Sequence, residues 1–265
     1  MKITGHDSPS QLRLAKPLPG GTPLDQAIEI AFDVEAPILA ARIATGTPAG
    51  QALPPMAMHL ATTRATNALL EEKGSDVTLF ITRGFEDILI IGDQKRPDLF
   101  ALNVQKQAPL SANVVGIDER LDALGQVLRP LNLPAADPPK NENQSAAVVC
   151  LHSHRNPEHE QRLAKHLRDA GWQHVSVSSD LAPVIKVLPR AETTVVDAYL
   201  SPIMSRYLDG VERELPNGKL HVMTSAGGLV SRADYRAKDS LLSGPAGGVV
   251  GAAMAGRQTG FERII

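Results

Sequence analysis

The sequence predicts an α/β protein, and three observations carry that reading. From about residue 58 onward, short apolar runs alternate with helical patterns, as in Val77-Thr78-Leu79-Phe80-Ile81-Thr82 and Ala146-Ala147-Val148-Val149-Cys150-Leu151. Hydrophobic residues make up 43% of the 265 residues but aromatic residues only 3%. The core must therefore be built from Leu, Val, Ile and Ala, which suits packed α/β layers better than an aromatic-rich sandwich. Glycine-rich turns also follow the apolar runs, as in Ser225-Ala226-Gly227-Gly228-Leu229 after His221-Val222-Met223-Thr224.

Residues 1–24 are rich in Pro, Gly, Ser and charge and read as loop or extended lead-in. Residues 24–45 have a helical pattern, with Pro37 marking the start of a second helix. A strand over 58–61 leads into a helix over 62–74, whose threonines can cap its start and whose Lys73-Gly74 closes it. The strand over 77–82 comes next, and this strand–helix–strand order predicts a right-handed crossover. Residues 105–145 are the least regular part, a flexible excursion with four prolines between Leu128 and Pro139. Beyond it the pattern predicts a strand over 146–151, a helix from Pro157 to about Ala170 and a strand over 175–178. A helix over 193–208 carries Val195, Val196, Tyr199, Leu200, Ile203, Met204 and Tyr207 on one face. A strand over 221–224, a helix over 249–258 and the start of a strand at Arg263 complete the series.

The formal net charge of -2 gives no basis for a polyanion-binding surface, so nucleic acid is not an expected partner. The lone cysteine, Cys150, excludes an intrachain disulfide, and two readings fit it: a buried strand residue or a reactive thiol. No stretch approaches the ~18 apolar residues of a membrane span, and the N-terminus lacks the apolar core of a signal peptide. A cytoplasmic protein without membrane partners is the expectation.

Four segments could carry chemistry. Ser243-Gly244-Pro245-Ala246-Gly247-Gly248 opens a small-residue helix. Bare backbone at a helix start suits a phosphate or carboxylate, while close packing explains the same glycines. The run is neither a Walker A loop nor a dinucleotide fingerprint. The turn holding Ser225, Gly227 and Gly228 sits at a strand end, where open α/β sheets collect ligands; a turn that needs positive φ fits as well. His152, His154 and His159 fall within eight residues, but without metal-site spacing, so helix capping or substrate contact competes with metal binding. Thr62, Thr63 and Asn67 stand at a helix start, where hydroxyls also serve only as caps. Arg83 and Arg96 could clamp an anion or pair with Glu86, Asp87 or Asp98.

Taken in order, these segments resemble the hydantoinase A/5-oxoprolinase family. Thr62-Thr63-Arg64-Ala65-Thr66-Asn67-Ala68-Leu69-Leu70-Glu71-Glu72-Lys73-Gly74 is similar to its threonine-rich helix, and Thr82-Arg83-Gly84-Phe85-Glu86-Asp87 to the turn that follows. Arg96–Phe100, Leu151–Ser153, Asn156–Glu160, Asp197–Pro202, Ser225–Leu229 and Leu242–Gly251 recur there in the same order. Val184–Arg190 resembles the 5-oxoprolinase branch in particular. The resemblance implies an ATPase fold of the actin/sugar-kinase/Hsp70 kind. It implies a reaction in which ATP drives opening of a cyclic amide, 5-oxoproline to glutamate or a hydantoin. ATP, Mg²⁺ and a monovalent cation are the implied cofactors, and a hydantoinase B-type subunit or domain the implied partner. Related members are ATP-dependent carboxylase subunits, and a non-catalytic binding domain is a third reading.

The sequence departs from the family in one respect. Neither of the family's Asp-x-Gly-Gly-Thr-x-Thr-Asp phosphate loops is present, although those aspartates would hold Mg²⁺ and phosphate. The expectation is a fold incomplete at both ends and a 265-residue chain with little ATPase activity of its own. It divides into a lead-in over 1–35, an N-terminal α/β domain over 36–210 and the start of a core domain over 211–265. The nucleotide or substrate cleft is expected among Thr62, Thr63, Asn67, Arg83, Arg96, His152, His154, Ser225, Gly227, Gly228, Ser243, Gly244, Gly247 and Gly248.

Overall fold

The computed structural model describes residues 3–8, 11–14, 34–93, 95, 100, 102, 107–135, 137–139, 141–261 and 263–264. The chain divides into two units, Met1–Val34 and Glu35–Ile265. In the first, β1 (Ile3–Ser8) pairs antiparallel with β2 (Gln11–Leu14). Of the loop and extended readings of this segment, the described residues take the extended one, as a short hairpin; the polar–apolar alternation of Gln11-Leu12-Arg13-Leu14 is its strand signal. The first of the two helices expected over 24–45 lies outside the described residues.

The second unit begins with α1 (Ala36–Thr45), which has Pro37 in its first turn. In chain order there follow β3 (Ala57–Leu60), α2 (Arg64–Leu70), β4 (Asp76–Thr82), the single turn α3 (Ile88–Ile91) and β5 (Ser111–Ile117). Next come the small ribbon of β6 (Arg120–Leu121) and β7 (Val127–Arg129), then β8 (Gln144–Val149), α4 (Glu158–Asp169) and β9 (Val175–Val177). The remaining elements are α5 (Ser178–Leu181), α6 (Val187–Arg213), β10 (Lys219–Met223), β11 (Leu229–Ser231), a 3₁₀ turn over Ala237–Ser240 and α7 (Ser243–Thr259).

The α/β expectation holds, with parallel strand pairing in two sheets. One sheet runs β5-β4-β8-β9, parallel throughout. In β4 the side chains alternate between its faces. Val77, Leu79 and Ile81 join the core beneath α6, and Phe80 joins the core on the other side. That second core packs Phe80, Ala146 and Val148 against Leu163 and Leu167 of α4, with Trp172 edge-to-face on Phe80 at 5.9 Å between ring centroids. The second sheet runs β11-β10-β3, with β3 and β10 parallel. Helix α6 has 27 residues, about 40 Å. Val195, Tyr199, Leu200, Met204 and Tyr207, predicted to share one face, are all buried in one core with β4, β8, β3 and β10.

Several expectations are corrected. β3 and β4 belong to different sheets, so β3–α2–β4 is not a crossover; β3 pairs instead with β10, far along the chain. The supposed excursion over 105–145 contributes β5 to the main sheet and buries Ile117, Glu119, Leu121 and Leu131. Ser111, Asn113 and Gly116 had masked the β-branched strand signal of Val114, Val115 and Ile117. The glycine-rich run Ser243–Gly248 does open a helix, but it forms the first turns of α7, which starts at Ser243 and not at Val249. No strand forms at Arg263 and Ile264, and Ile265 lies outside the described residues. Among the described residues no helix is long and apolar enough to cross a membrane.

Candidate functional site

The adjacent parallel strands β3 and β10 end side by side, and the segments after them, together with α2 and the start of α7, carry most of the expected cleft residues. Thr62 and Thr63 follow β3; Ser225, Gly227 and Gly228 follow β10. The start of α7 closes over both. Ser243 Oγ donates to the Thr62 carbonyl at 2.9 Å. Ser225 Oγ accepts the Leu242 N–H at 3.0 Å and donates to the Asp239 carbonyl at 2.7 Å. The Thr66 hydroxyl donates to the Leu241 carbonyl. Gly227 has φ +81°, so the turn does need a left-handed residue, and its N–H and that of Thr224 close the turn on Thr224 and Gly228 carbonyls.

The glycines of α7 divide by role. A β-carbon on Gly244 would lie 2.8 Å from Thr63 Cγ2, and one on Gly247 2.8 Å from Ala61 Cβ. These two are close-approach glycines. Gly248 and Gly251 have nothing within 4 Å of such a carbon. Close packing therefore accounts for half of the pattern, while the helix start keeps the N–H groups that a helix cannot satisfy internally.

Beside this junction is a cleft of about 520 Å³, lined by Glu35, Thr62, Thr63, Arg64, Asn67 and Tyr207 among others. The Arg64 guanidinium lies over the Tyr207 ring, 4.4 Å from its centroid, and pairs with Glu35 at 3.1 Å. Burial pushes the Tyr207 hydroxyl pKa up, and a hydrogen bond with Thr62 works against that. Thr62 Oγ1 accepts the Arg64 N–H at 3.2 Å, whereas Thr63, the residue preceding α2, makes no side-chain cap. A larger hollow of about 870 Å³ along Val249, Ala252, Ala253 and Phe261 is apolar apart from Arg257 and offers no comparable chemistry.

Arg83, His152 and His154 do not join this junction. They follow β4 and β8, at the carboxyl edge of the other sheet. Arg83 is exposed and makes no ion pair with a described residue; Arg96 lies outside the described residues. His152 has φ +61°, uncommon for a residue with a side chain. Nδ1 of His154 is buried without a partner, and burial, then Arg190, lower its pKa. His159 is apart from both, buried on α4 with Nδ1 2.7 Å from Glu119 Oε2, so the three histidines do not converge.

Beneath that edge is a polar network that the sequence reading missed. Arg190 is fully buried; its guanidinium donates to Ser153 Oγ, to Ser178 Oγ at 2.9 Å and to the Cys150 carbonyl at 2.9 Å. Glu160, also fully buried, accepts from the Cys150 N–H at 2.6 Å, Ser178 Oγ at 2.6 Å and the Ser179 N–H at 2.8 Å. Thr82 accepts the Leu151 N–H at 2.8 Å and donates to Glu119. A signal existed for both charged residues. Glu160 is spaced with Leu163, Ala164 and Leu167 on the buried face of α4, and Arg190 with Thr194, Val195 and Ala198 on that of α6. Of the two readings of Cys150, burial supports the structural one: the thiol is enclosed and its pKa pushed well up by burial and by Glu160.

Residues 47–171 match the hydantoinase/oxoprolinase N-terminal region, and residues 190–265 match the hydantoinase/oxoprolinase family proper. The 5-oxoprolinase of Saccharomyces cerevisiae is 36% identical over 229 residues, covering 73% of this chain and 18% of that protein. An ATP-dependent caprolactamase from Pseudomonas jessenii superposes with a TM-score of 0.58 at 30% identity, over 76% of this chain and 31% of its own. The nucleotide-free structure of an acetone carboxylase gives 0.62 at 24% identity, over 77% and 32%. This chain thus spans about a fifth of the length of the yeast relative and about a third of each structural neighbour.

Proposed function

The chain belongs to the hydantoinase/oxoprolinase family, and we propose that it forms part of an ATP-dependent enzyme that opens a cyclic amide, with 5-oxoproline the first substrate to test. The observation that carries this is the meeting of Thr62-Thr63, Ser225 and Ser243-Gly244 at the ends of two neighbouring parallel strands. Such strand ends are where open α/β sheets bind ligands. Hydroxyls, a helix start and glycine backbone suit phosphate oxygens. ATP, when bound, would make a stable amide attackable by water through phosphorylation of its oxygen. Thr62, Thr63, Ser225 and the first turn of α7 would hold and orient the phosphates, and the actin/sugar-kinase/Hsp70-like ATPase fold is part of the same reading.

Magnesium and a monovalent cation fit this chain less well. Among the described residues no group of three or more His, Cys, Asp or Glu side chains converges on one point. Asp239, the carboxylate nearest the junction in sequence, is paired with Lys238 at 2.6 Å. The ions belong, on this reading, to the phosphate loops that this sequence lacks. The B-type subunit or domain is likewise proposed as the partner of the longer protein.

The second reading, an ATP-dependent carboxylase subunit, shares the fold; a non-catalytic domain is the third. Phosphate release by the longer protein, measured with 5-oxoproline, hydantoins and ketones side by side, separates them. Release stimulated by 5-oxoproline or a hydantoin supports the amide reading. Stimulation by ketones alone moves the assignment to carboxylation, and no stimulation at all moves it to the binding domain.

A further inference from the structure

His59 of β3 and His221 of β10 are register partners on adjacent parallel strands, so both side chains leave the same face of the sheet. Their ring centroids are 5.5 Å apart and their planes at 87°. Nδ1 of His221 is buried with no hydrogen-bond partner, and the His59 imidazole makes no hydrogen bond to a described residue. The edge-to-face contact accounts for the ring packing but leaves that nitrogen empty, and buried polar atoms are seldom left so.

We propose that His59 and His221 together form a two-imidazole binding site for a borderline divalent cation such as Zn²⁺. The separation of the rings fits: metal–nitrogen bonds of about 2.0–2.1 Å at a tetrahedral angle put two imidazole centres roughly 5 Å apart, against 5.5 Å between His59 and His221. Neutral imidazole is a ligand for Zn, Cu and Ni, whereas Mg and Ca prefer oxygen. Exposed His59 provides the entry path. The row continues across the sheet to Ser231, opposite His221, whose hydroxyl donates to Asp234 at 2.6 Å. Two protein ligands leave positions for water, so the site is weaker than a closed four-ligand one. A bound ion would tie β3 to β10, the two strands whose ends carry Thr62-Thr63 and Ser225–Gly228. By mass action it would stabilise the folded sheet under the candidate cleft.

The test is calorimetric titration of the tag-free chain with Zn²⁺ alone. The expected result is one ion per chain, bound about tenfold or more weakly in H59Q and in H221Q. The double variant H152Q/H154Q removes a second close imidazole pair among the described residues, at 6.1 Å between centroids, and should bind zinc as the unsubstituted chain does. Absence of stoichiometric binding overturns the proposal. So does binding that survives both H59Q and H221Q, or that is lost in H152Q/H154Q instead. If circular dichroism shows that H221Q is not folded, histidine ring-proton NMR of the unsubstituted chain decides. Zinc must perturb His59 and His221 before any other histidine, and first effects elsewhere overturn the assignment.

Discussion

A β-carbon on Gly244 would stand 2.8 Å from the Cγ2 methyl of Thr63. This glycine sets how closely α7 approaches the end of β3, and Gly247 does the same against Ala61. Alanine would improve helix propensity by about 1 kcal/mol at any interior position. At Gly248 and Gly251 nothing opposes that gain, so Gly248→Ala and Gly251→Ala should stabilise the chain by roughly 0.5–1 kcal/mol each. Gly247→Ala should destabilise it by about 1–3 kcal/mol, because Ala61 Cβ cannot move without the backbone that follows β3. Gly244→Ala should fall between, since Thr63 can turn its methyl away. Urea unfolding midpoints rank the four variants; equal shifts at all four would remove the close-packing account of α7.

The Arg190–Glu160 network gives a second prediction. Both side chains are fully buried, 3.9 Å apart, and share the hydroxyl of Ser178. Arg190→Ala strips a buried carboxylate of its counter-charge and removes the guanidinium bonds to Ser153 and the Cys150 carbonyl. The expected loss is about 3–5 kcal/mol. Arg190→Lys should recover only part of it, because an ammonium cannot reproduce the guanidinium fork that reaches both Ser178 and the Cys150 carbonyl. Chemical denaturation measures both losses. A lysine variant as stable as the original would mean that charge alone, not geometry, matters here.

Acidification should weaken the fold through His154 and His174. Burial is the leading cause that lowers both pKa values, aided by Arg190 at His154 and by Arg206 at His174. In each case the unfolded chain binds the proton more readily. Stability is therefore complete above the ordinary histidine range of about 6.5 and falls as pH drops through it. Thermal unfolding between about pH 7.5 and 5.5 should show a falling midpoint, and His154→Gln or His174→Gln should flatten that slope. An unchanged slope in both variants would place its origin elsewhere.

What the sequence disclosed and what it hid have physical causes. Apolar periodicity located β4, β8, α4 and α6, because each turns a regular stripe toward one core. Periodicity does not say which strands pair: chain order suggests β4 beside β3, whose partner is β10. The junction of Thr62-Thr63 with Ser225 and Ser243-Gly244 was legible as separate motifs, each at a strand or helix end. Their meeting depends on the β3–β10 register, which no local pattern encodes. Glu160 and Arg190 escaped because charge in a helix reads as surface, although their spacing with apolar neighbours placed both on buried faces.

Arg83 is the expected cleft residue that the fold leaves most open to function. It is exposed immediately after β4, and Glu86, a supposed ion-pair partner, instead accepts the Gly84 N–H at 2.7 Å. No described acid pairs with Arg83, while Asp98 lies outside the described residues. 5-Oxoproline carries a carboxylate that a guanidinium binds through two parallel hydrogen bonds. On the proposed reading, Arg83→Ala in the enzyme to which this chain contributes should raise KM for 5-oxoproline by about tenfold or more, the worth of a charged hydrogen bond. KM for ATP should stay unchanged, because the phosphate-suited junction lies on the other sheet. A rise in both constants would mean general damage, and a rise in KM for ATP alone would move Arg83 to the nucleotide. No change in either would return it to an ordinary surface charge.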